Sequence, residues 1–550
     1  MAVALPLALA LVVFGPPGVD AAAHHYLTDR FAADGWRFWD NYWYAGRYEL
    51  VNYSLLFYPV AVVVGPVAVA VGAIVAGAGL FSSLLTRAFG AQAIWPSRLF
   101  AISWPALLVA GQYPFALGTA CALAALVALQ RAHPWLGLAL AALALGSSPL
   151  AFLFMLVALS GIVAVQQRQG RLDWARTAAP MAGLLVLGLV QLAALRAFPT
   201  EGTFPYPWLD LVGISLFSLA GIALARGSER ARPLLGVFAA YLVLGWLAKL
   251  APGGVGGNAS RLLQYYAVPL LVLAIAVRGR RLGAPAIAAL AVALAWQVVP
   301  LLRNAANAQA EPAKEAAFWD PAVAFLGPGS ERFDLDHRVE AVATWGHWES
   351  YHLAGRGVPI VRGWFRQDDF PQNETLYDSE RLDARSYLAW LHELGVRYVV
   401  LPARSLDASA EREADLLRAG VAGVSRVKVT EAFSIFEVDD PRPVLELRGP
   451  SSDEVRRRTR VIRLEQSGMW VYAPVAGEYL LRFRYTPYWR VDSPGAACVR
   501  RGPGWMSVLL VNRPGPVRIS FDVSLGQAAS TVAGDSGSSC AVFPPAEIAS

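Results

Sequence analysis

The chain has 550 residues, 56% hydrophobic and 16% charged, with a mean hydropathy of +0.42. A soluble domain carries about 25% charge, so an ordinary cytosolic enzyme is excluded, and 11% aromatic residues at low net charge exclude disorder. The net charge of +6 does not mark a nucleic-acid binder: residues 1–303 hold 19 Lys+Arg against 9 Asp+Glu, and residues 304–550 hold 28 against 32, so the basic half is the apolar half, a membrane pattern.

From Ala2 to about Arg303 the sequence is a series of apolar runs, each near the ~20 residues a bilayer core requires. They fall at 2–15, 55–80, 97–111, 114–130, 134–146, 148–166, 178–196, 209–225, 234–250, 262–277 and 283–301, about eleven spans. So long a series without amphipathic period does not describe soluble core helices. The runs 134–146 and 148–166 read as a helical hairpin turning at Ser147, Ser148 and Pro149. The first run is short, and Ala21, Ala22 and Ala23 resemble a cleavage site; a signal peptide is the alternative there, although no basic n-region precedes it.

Alternate connections carry Arg87 and Arg98; Arg131; Arg168, Arg171 and Arg176; Arg226, Arg230 and Arg232; Arg278, Arg280 and Arg281, which is 12 bases against Asp173 and Glu229. The opposite connections are poor in bases apart from Arg196, Lys249, Arg261 and three Arg in the first loop. By the positive-inside rule the Arg-rich side is cytoplasmic, so loop 16–53 and everything after Arg303 lie outside. The expectation is a multi-pass protein of the cytoplasmic (plasma) membrane with its C-terminal part extracytoplasmic.

Residues 304–550 alternate β-rich runs (338–343, 396–401, 427–438, 478–485, 505–511, 517–523) with helix-like stretches at 384–395 and 408–419. The pattern predicts three domains: a transmembrane domain 1–303, an α/β domain 304–442 and a β-sandwich 443–550. Of three cysteines, Cys121 lies in a span, while Cys498 and Cys540 share the outer tail and are a disulfide candidate. No Walker A loop, HExxH, CxxC or GxSxG occurs, and no metal-ligand motif is present.

The first outer loop concentrates the chemistry. Asp20 stands just past a span and His24 follows at i+4, one helical face. Such groups are costly at a bilayer surface without a task, and a carboxylate in a partly dry cleft can act as a base or hold a divalent cation. Trp36, Trp39, Tyr42, Trp43 and Tyr44 read either as sugar-stacking rings or as an interfacial aromatic belt. In the tail, Trp345–His352 reads as a strand-to-helix turn with buried Trp or, as the alternative, a carbohydrate-binding cluster, and the acidic loop at Asp368 and Asp369 as a solvated one, with metal binding the alternative.

The series Asp20, His24, Trp39, Gly46, Tyr53, Tyr58-Pro59 resembles the first-loop signature of GT-C-type membrane glycosyltransferases. More narrowly it resembles YfhO-like bacterial proteins, some named for 6-pyruvoyl-tetrahydropterin synthase. Gly111–Phe115, Gly257–Tyr266, Tyr387–Leu401 and Gly477–Arg490 fit the same resemblance. It implies a GT-C-like fold and transfer of a sugar from a polyprenyl-phosphate donor to an extracytoplasmic glycan or lipid acceptor. It implies Asp20 as catalytic base or metal contact and Asp40 as a second catalytic candidate, with a divalent cation (Mg or Mn) a candidate cofactor. No adjacent acidic pair follows the first span.

A lipid phosphate requires cations at span ends, which singles out Arg261 and Lys249, with His24 as a further phosphate contact. Trp39, Tyr44, Tyr53, Tyr58 and Asn258 are substrate-binding candidates. The partners expected are thus the lipid-linked sugar, its acceptor and the bilayer, with no nucleic acid. Only three Lys occur among 47 bases, in an Ala-rich chain, which fits a GC-rich source such as an actinobacterium and a cell-envelope acceptor. A multi-spanning transporter and a non-catalytic envelope-assembly protein are the alternatives; no repeat divides the spans into similar halves.

Overall fold

The computed structural model describes residues 1–200, 202–279, 283–492, 496–534 and 540. Arg280 and Arg281 of the basic connections lie outside them. The chain forms two compact units: Met1–Ala32, Asn52–Leu192 and Thr203–Ala310 make the first, and Ala33–Val51, Ala193–Gly202 and Glu311–Ser550 the second.

The first unit is helical. Among the described residues eight helical stretches are long and apolar enough to cross a membrane: Pro66–Ala110, Tyr113–Gln130, Pro149–Arg168, Trp174–Ala197, Trp208–Ala225, Glu229–Leu250, Gly256–Arg278 and Ala284–Ala310. Ala4–Phe14 and Pro134–Ser147 are shorter apolar helices. Pro66–Ala110 contains separate helices, Pro66–Phe89 and Ile94–Ser103 among them, parted at Gly90, whose φ of +61° suits glycine. Trp174–Ala197 is almost wholly uncovered, with Leu185, Val186, Leu189 and Leu192 exposed, a surface suited to lipid and not to water. The protein is a polytopic α-helical membrane protein with a β-rich C-terminal region.

Proline and serine punctuate the helices. Pro66, Pro134 and Pro149 occupy first-turn positions, where the missing N–H costs nothing. Ser148 is extended between Pro134–Ser147 and Pro149–Arg168, and its hydroxyl accepts the Ala151 N–H at 3.3 Å, forming the hairpin's turn.

The second unit holds the strands. A ribbon of β1 (Trp39–Asp40) and β2 (Arg47–Tyr48) pairs antiparallel. Four strands, β3 (Arg338–Ala341), β4 (Val396–Pro402), β5 (Val424–Val429) and β6 (Phe433–Val438), form a sheet of order β3-β4-β6-β5 in which only β3 and β4 are parallel. The helix Ala384–Leu394 precedes β4; Asp383 and Ser386 form its capping box, and Gly395 at φ +70° ends it. The single run expected over 427–438 breaks into a hairpin because Thr430 turns the chain, its hydroxyl accepting the Phe433 N–H at 3.0 Å.

The remaining strands are β7 (Leu445–Leu447), β8 (Arg460–Glu465), β9 (Gly468–Ala473), β10 (Gly477–Arg484), β11 (Trp489–Val491), β12 (Ala497–Arg501), β13 (Met506–Val511) and β14 (Gly515–Phe521). They make two four-stranded sheets, β12-β13-β10-β7 and β11-β14-β9-β8, whose apolar faces share one core with Trp39, Tyr48, Ala197 and Phe198. Cys498 on β12 is disulfide-bonded to Cys540, with Cα atoms 5.3 Å apart.

Candidate functional site

The candidate site lies in the first unit, where two glycines let two backbones touch. Val19 N–H donates to Val109 O at 3.1 Å and Asp20 N–H to Ala110 O at 3.2 Å. A Cβ on Gly18 would fall 2.4 Å from Gly111 Cα, and one on Gly111 would fall 2.6 Å from Asp20 N. Gly111 also has φ +74°, ending one helical stretch before the next starts at Tyr113. This contact sets Asp20, half-buried, at the entry of helix Ala21–Asp34.

One turn on, His24 is fully buried in an aromatic cage. Its Nδ1 lies 3.2 Å from Tyr58 Oη, and its ring stacks on Tyr53 (5.9 Å, 21°) and tilts against Tyr113 (5.3 Å) and Phe57 (5.9 Å). The imidazole pKa is lowered to about 3, first by burial, then by the charge of His25 and, last, of Arg261, against a hydrogen bond to the Gly111 backbone. His24 is therefore neutral at physiological pH. A phosphate would therefore meet it as a neutral hydrogen-bonding ring and not as a cation.

Arg261 begins the helix Arg261–Arg278 and is half-buried, its guanidinium 5.4 Å from the Phe115 ring centre. Among the described residues it has no carboxylate partner. Tyr265, one turn later, donates to Gln112 Oε1 at 3.2 Å. Asp20 acts electrostatically on both Tyr113 and Tyr265, and Arg261 on His24 and Tyr265. The structure thus gathers Asp20, His24, Tyr53, Tyr58 and Arg261 around Gly111–Tyr113. Asn258 lies half-buried in the short turn Gly256–Ser260 that leads into Arg261.

Other expected site residues lie elsewhere. Lys249 is engaged: Nζ donates to Tyr206 O at 2.6 Å and sits 4.4 Å over Trp208, so it anchors the start of Trp208–Ala225 and is no open phosphate contact. Trp39, Tyr44 and Asp40 belong to the second unit and are each 0% exposed. Trp39 stacks on Phe521 at 5.3 Å and meets Trp489 and Tyr48 edge-on, while its Nε1 donates to Asn41 at 2.8 Å. Tyr44 packs against Gly363. Both rings are core elements, which corrects their assignment as sugar-stacking groups. Asp40 accepts the Tyr42 N–H at 2.9 Å and pairs across the ribbon with Arg47, a turn-forming role that replaces the catalytic one.

Gln112, Tyr113 and Tyr265 enter the site without having been singled out as site residues. Their signal was present, since both segments were read as motifs. Asp210, the single charged residue of Trp208–Ala225, was also missed; its Oδ2 lies 3.3 Å from where a Cβ on Gly257 would stand. Among the described residues no group of three or more His, Cys, Asp and Glu is placed to hold a metal ion.

The second unit has its own buried charges. Asp368 and Asp369, expected in solvent, are 2% and 3% exposed. Asp368 pairs with Arg47 at 2.8 Å, and Asp369 accepts from Asn373 at 2.8 Å and from Tyr377. Arg362 bridges Glu340 and Glu413, the latter at 2.6 Å. Glu311 accepts the Gly346 N–H at 2.9 Å, beside Glu349, which takes the Thr344 hydroxyl at 2.7 Å. The Glu311 carboxyl is pushed up to about 7, mainly by burial, with Glu349 adding to it and the Gly346 hydrogen bond opposing it.

No family model matches the chain, and no curated protein matches it. Among solved structures it is similar to two cryo-EM classes of a mutant of the arabinofuranosyltransferase AftD from Mycobacteria. One has TM-score 0.42 and 16% identity over 80% of this chain and 41% of that chain; the other has 0.47 and 15% over 96% and 60%. The chain thus spans about half the length of those structures.

Proposed function

We propose that the protein is a GT-C-like membrane glycosyltransferase that moves a sugar from a polyprenyl-phosphate donor to a glycan or lipid acceptor outside the cytoplasmic membrane. The observation that carries this reading is that one end of the helical unit holds both Asp20, whose backbone is pinned at the Gly18–Gly111 contact, and Arg261, which packs on Phe115 and has no carboxylate partner among the described residues. The alternating basic connections support an orientation in which that end faces outward.

In this reading Asp20 takes the proton of an acceptor hydroxyl as its oxygen bonds to the anomeric carbon. The bond from that carbon to the donor phosphate breaks, and Arg261 binds the departing phosphate through paired N–H donors. Neutral His24 orients Tyr58 and fills the wall beside Asp20. Tyr53 and Asn258 are the remaining substrate contacts, and a divalent cation (Mg or Mn) could be held only through Asp20 and the substrate's own phosphate.

The test is transfer from polyprenyl-phosphate sugars by purified wild-type protein, Asp20→Asn and Arg261→Gln. Asp20→Asn should lower turnover by about 100-fold or more. Arg261→Gln should weaken donor binding by about tenfold or more, the worth of a charge-assisted hydrogen bond. Full activity in Asp20→Asn would remove the assignment.

A further inference from the structure

A cavity of about 380 Å³ opens at the other end of the helical unit, among the basic connections, lined by Ala91, Gln92, Trp95, Val272, Ile275 and Ala276. Its volume falls in the range of ligand sites, and five of its six walls are apolar. It lies between the turn Gly90–Ala93 with the first turn of Ile94–Ser103 on one side and the last turns of Arg261–Arg278 on the other. Gln92 is its one polar wall. Arg98 is exposed with its guanidinium 5.1 Å over Trp95, and Arg278 follows Ile275 by one turn. Among the described residues neither arginine has a carboxylate partner.

We infer that this cavity is a binding site for an anionic phospholipid of the bilayer, with an acyl chain against Val272, Ile275 and Ala276 and the phosphate at Gln92 and Arg98. An apolar slot alone would accept any lipid tail. Arg98, packed on Trp95 and without a carboxylate partner among the described residues, adds the preference for negative charge, since basic recesses between membrane helices select anionic headgroups. Arg98 is held near the slot's mouth by its packing on Trp95, so the phosphate meets a cation already in place. The inference is independent of any transferase activity.

Native mass spectrometry of the full-length protein in detergent tests it, with dioleoyl phosphatidylglycerol, dioleoyl phosphatidylcholine and undecaprenyl phosphate as probes. Phosphatidylglycerol should form a one-to-one adduct at about fivefold lower concentration than phosphatidylcholine. Arg98→Gln, at an exposed position, should erase that preference while leaving tail binding. Ala276→Phe, which fills the slot, should weaken both glycerolipids, and Gln92→Leu should reduce the phosphatidylglycerol preference without filling anything. Equal binding of the two glycerolipids by the wild type would overturn the inference. So would unchanged binding in Ala276→Phe, or displacement of phosphatidylglycerol by equimolar undecaprenyl phosphate.

Discussion

Gly18 and Gly111 meet so closely that neither can carry a side chain: a Cβ on Gly18 would stand 2.7 Å from both Gly111 N and Leu108 O. The backbone of Asp20 is therefore pinned by a contact more than ninety residues apart in sequence.

Gly111→Ala should cost more than a positive-φ penalty. The left-handed conformation alone costs about 1–2 kcal/mol, and the clash with Asp20 N must be relieved by moving that residue. The expected outcome is a folded protein with reduced thermal stability and transferase activity down roughly 100-fold. Unchanged activity would separate Asp20 from the chemistry.

His24 gives the helical unit an acid limit. Its folded pKa of about 3 lies below the ordinary 6.5, so the unfolded chain binds the extra proton between those values. Stability is unaffected above pH 6.5 and falls as the pH drops toward 3, by about 5 kcal/mol at the end of the range. Melting curves of wild type and His24→Gln between pH 7.5 and 4.5 check this: the variant should lose less on acidification.

Glu311 works in the opposite sense. Its folded pKa of about 7 exceeds the ordinary 4.5, so its contribution is complete below pH 4.5 and is lost as the pH rises through 7. The loss is about 3 kcal/mol by one-proton linkage. Glu311→Gln should flatten the pH dependence of unfolding of the β-rich unit between pH 5 and 8 and stabilise it at pH 8. A parallel shift of both curves would contradict the argument.

Trp39→Ala distinguishes a core ring from a sugar platform. Removing a buried Trp should destabilise the β-rich unit by about 3–5 kcal/mol, visible in hydrogen exchange of β9 and β14. Loss of turnover with unchanged exchange would restore the sugar-stacking reading.

The Cys498–Cys540 bond closes a 42-residue separation, and in the chain-entropy view is worth about 4 kcal/mol. Peptide maps with and without reductant should show the linked pair, and reduction should lower the melting temperature of the β-rich unit. Two free thiols in the native protein would contradict the bond.

What was legible in the sequence was local. The apolar runs gave the helices because burial in lipid needs only length and composition, and Ser148 before Pro149 announced its own turn. The spacing of Asp20 and His24 announced a helix there, and Ala21–Asp34 is one, with Asp20 just before its first residue. The rest depended on distant partners. Trp39 looked like an exposed ring because Phe521 and Trp489 lie far along the chain, and Asp368 looked solvated because Arg47, 321 positions away, neutralises it. Arg261 stood out by scarcity, while Lys249, equally scarce, was already engaged by Tyr206.

The β1–β2 ribbon has a consequence for biogenesis. Trp39 is synthesised about 480 residues before Phe521, against which it stacks. At 5–20 residues per second the ribbon waits roughly 25–100 s for the strands that bury it. During that interval a segment bearing Trp39, Trp43 and Tyr44 has no core to enter. Nor could the residues from Glu311 onward fold fully when expressed alone: the sandwich would lack the side chains of Trp39, Tyr48, Ala197 and Phe198, so adding 33–51 as a separate peptide should complete it only in part.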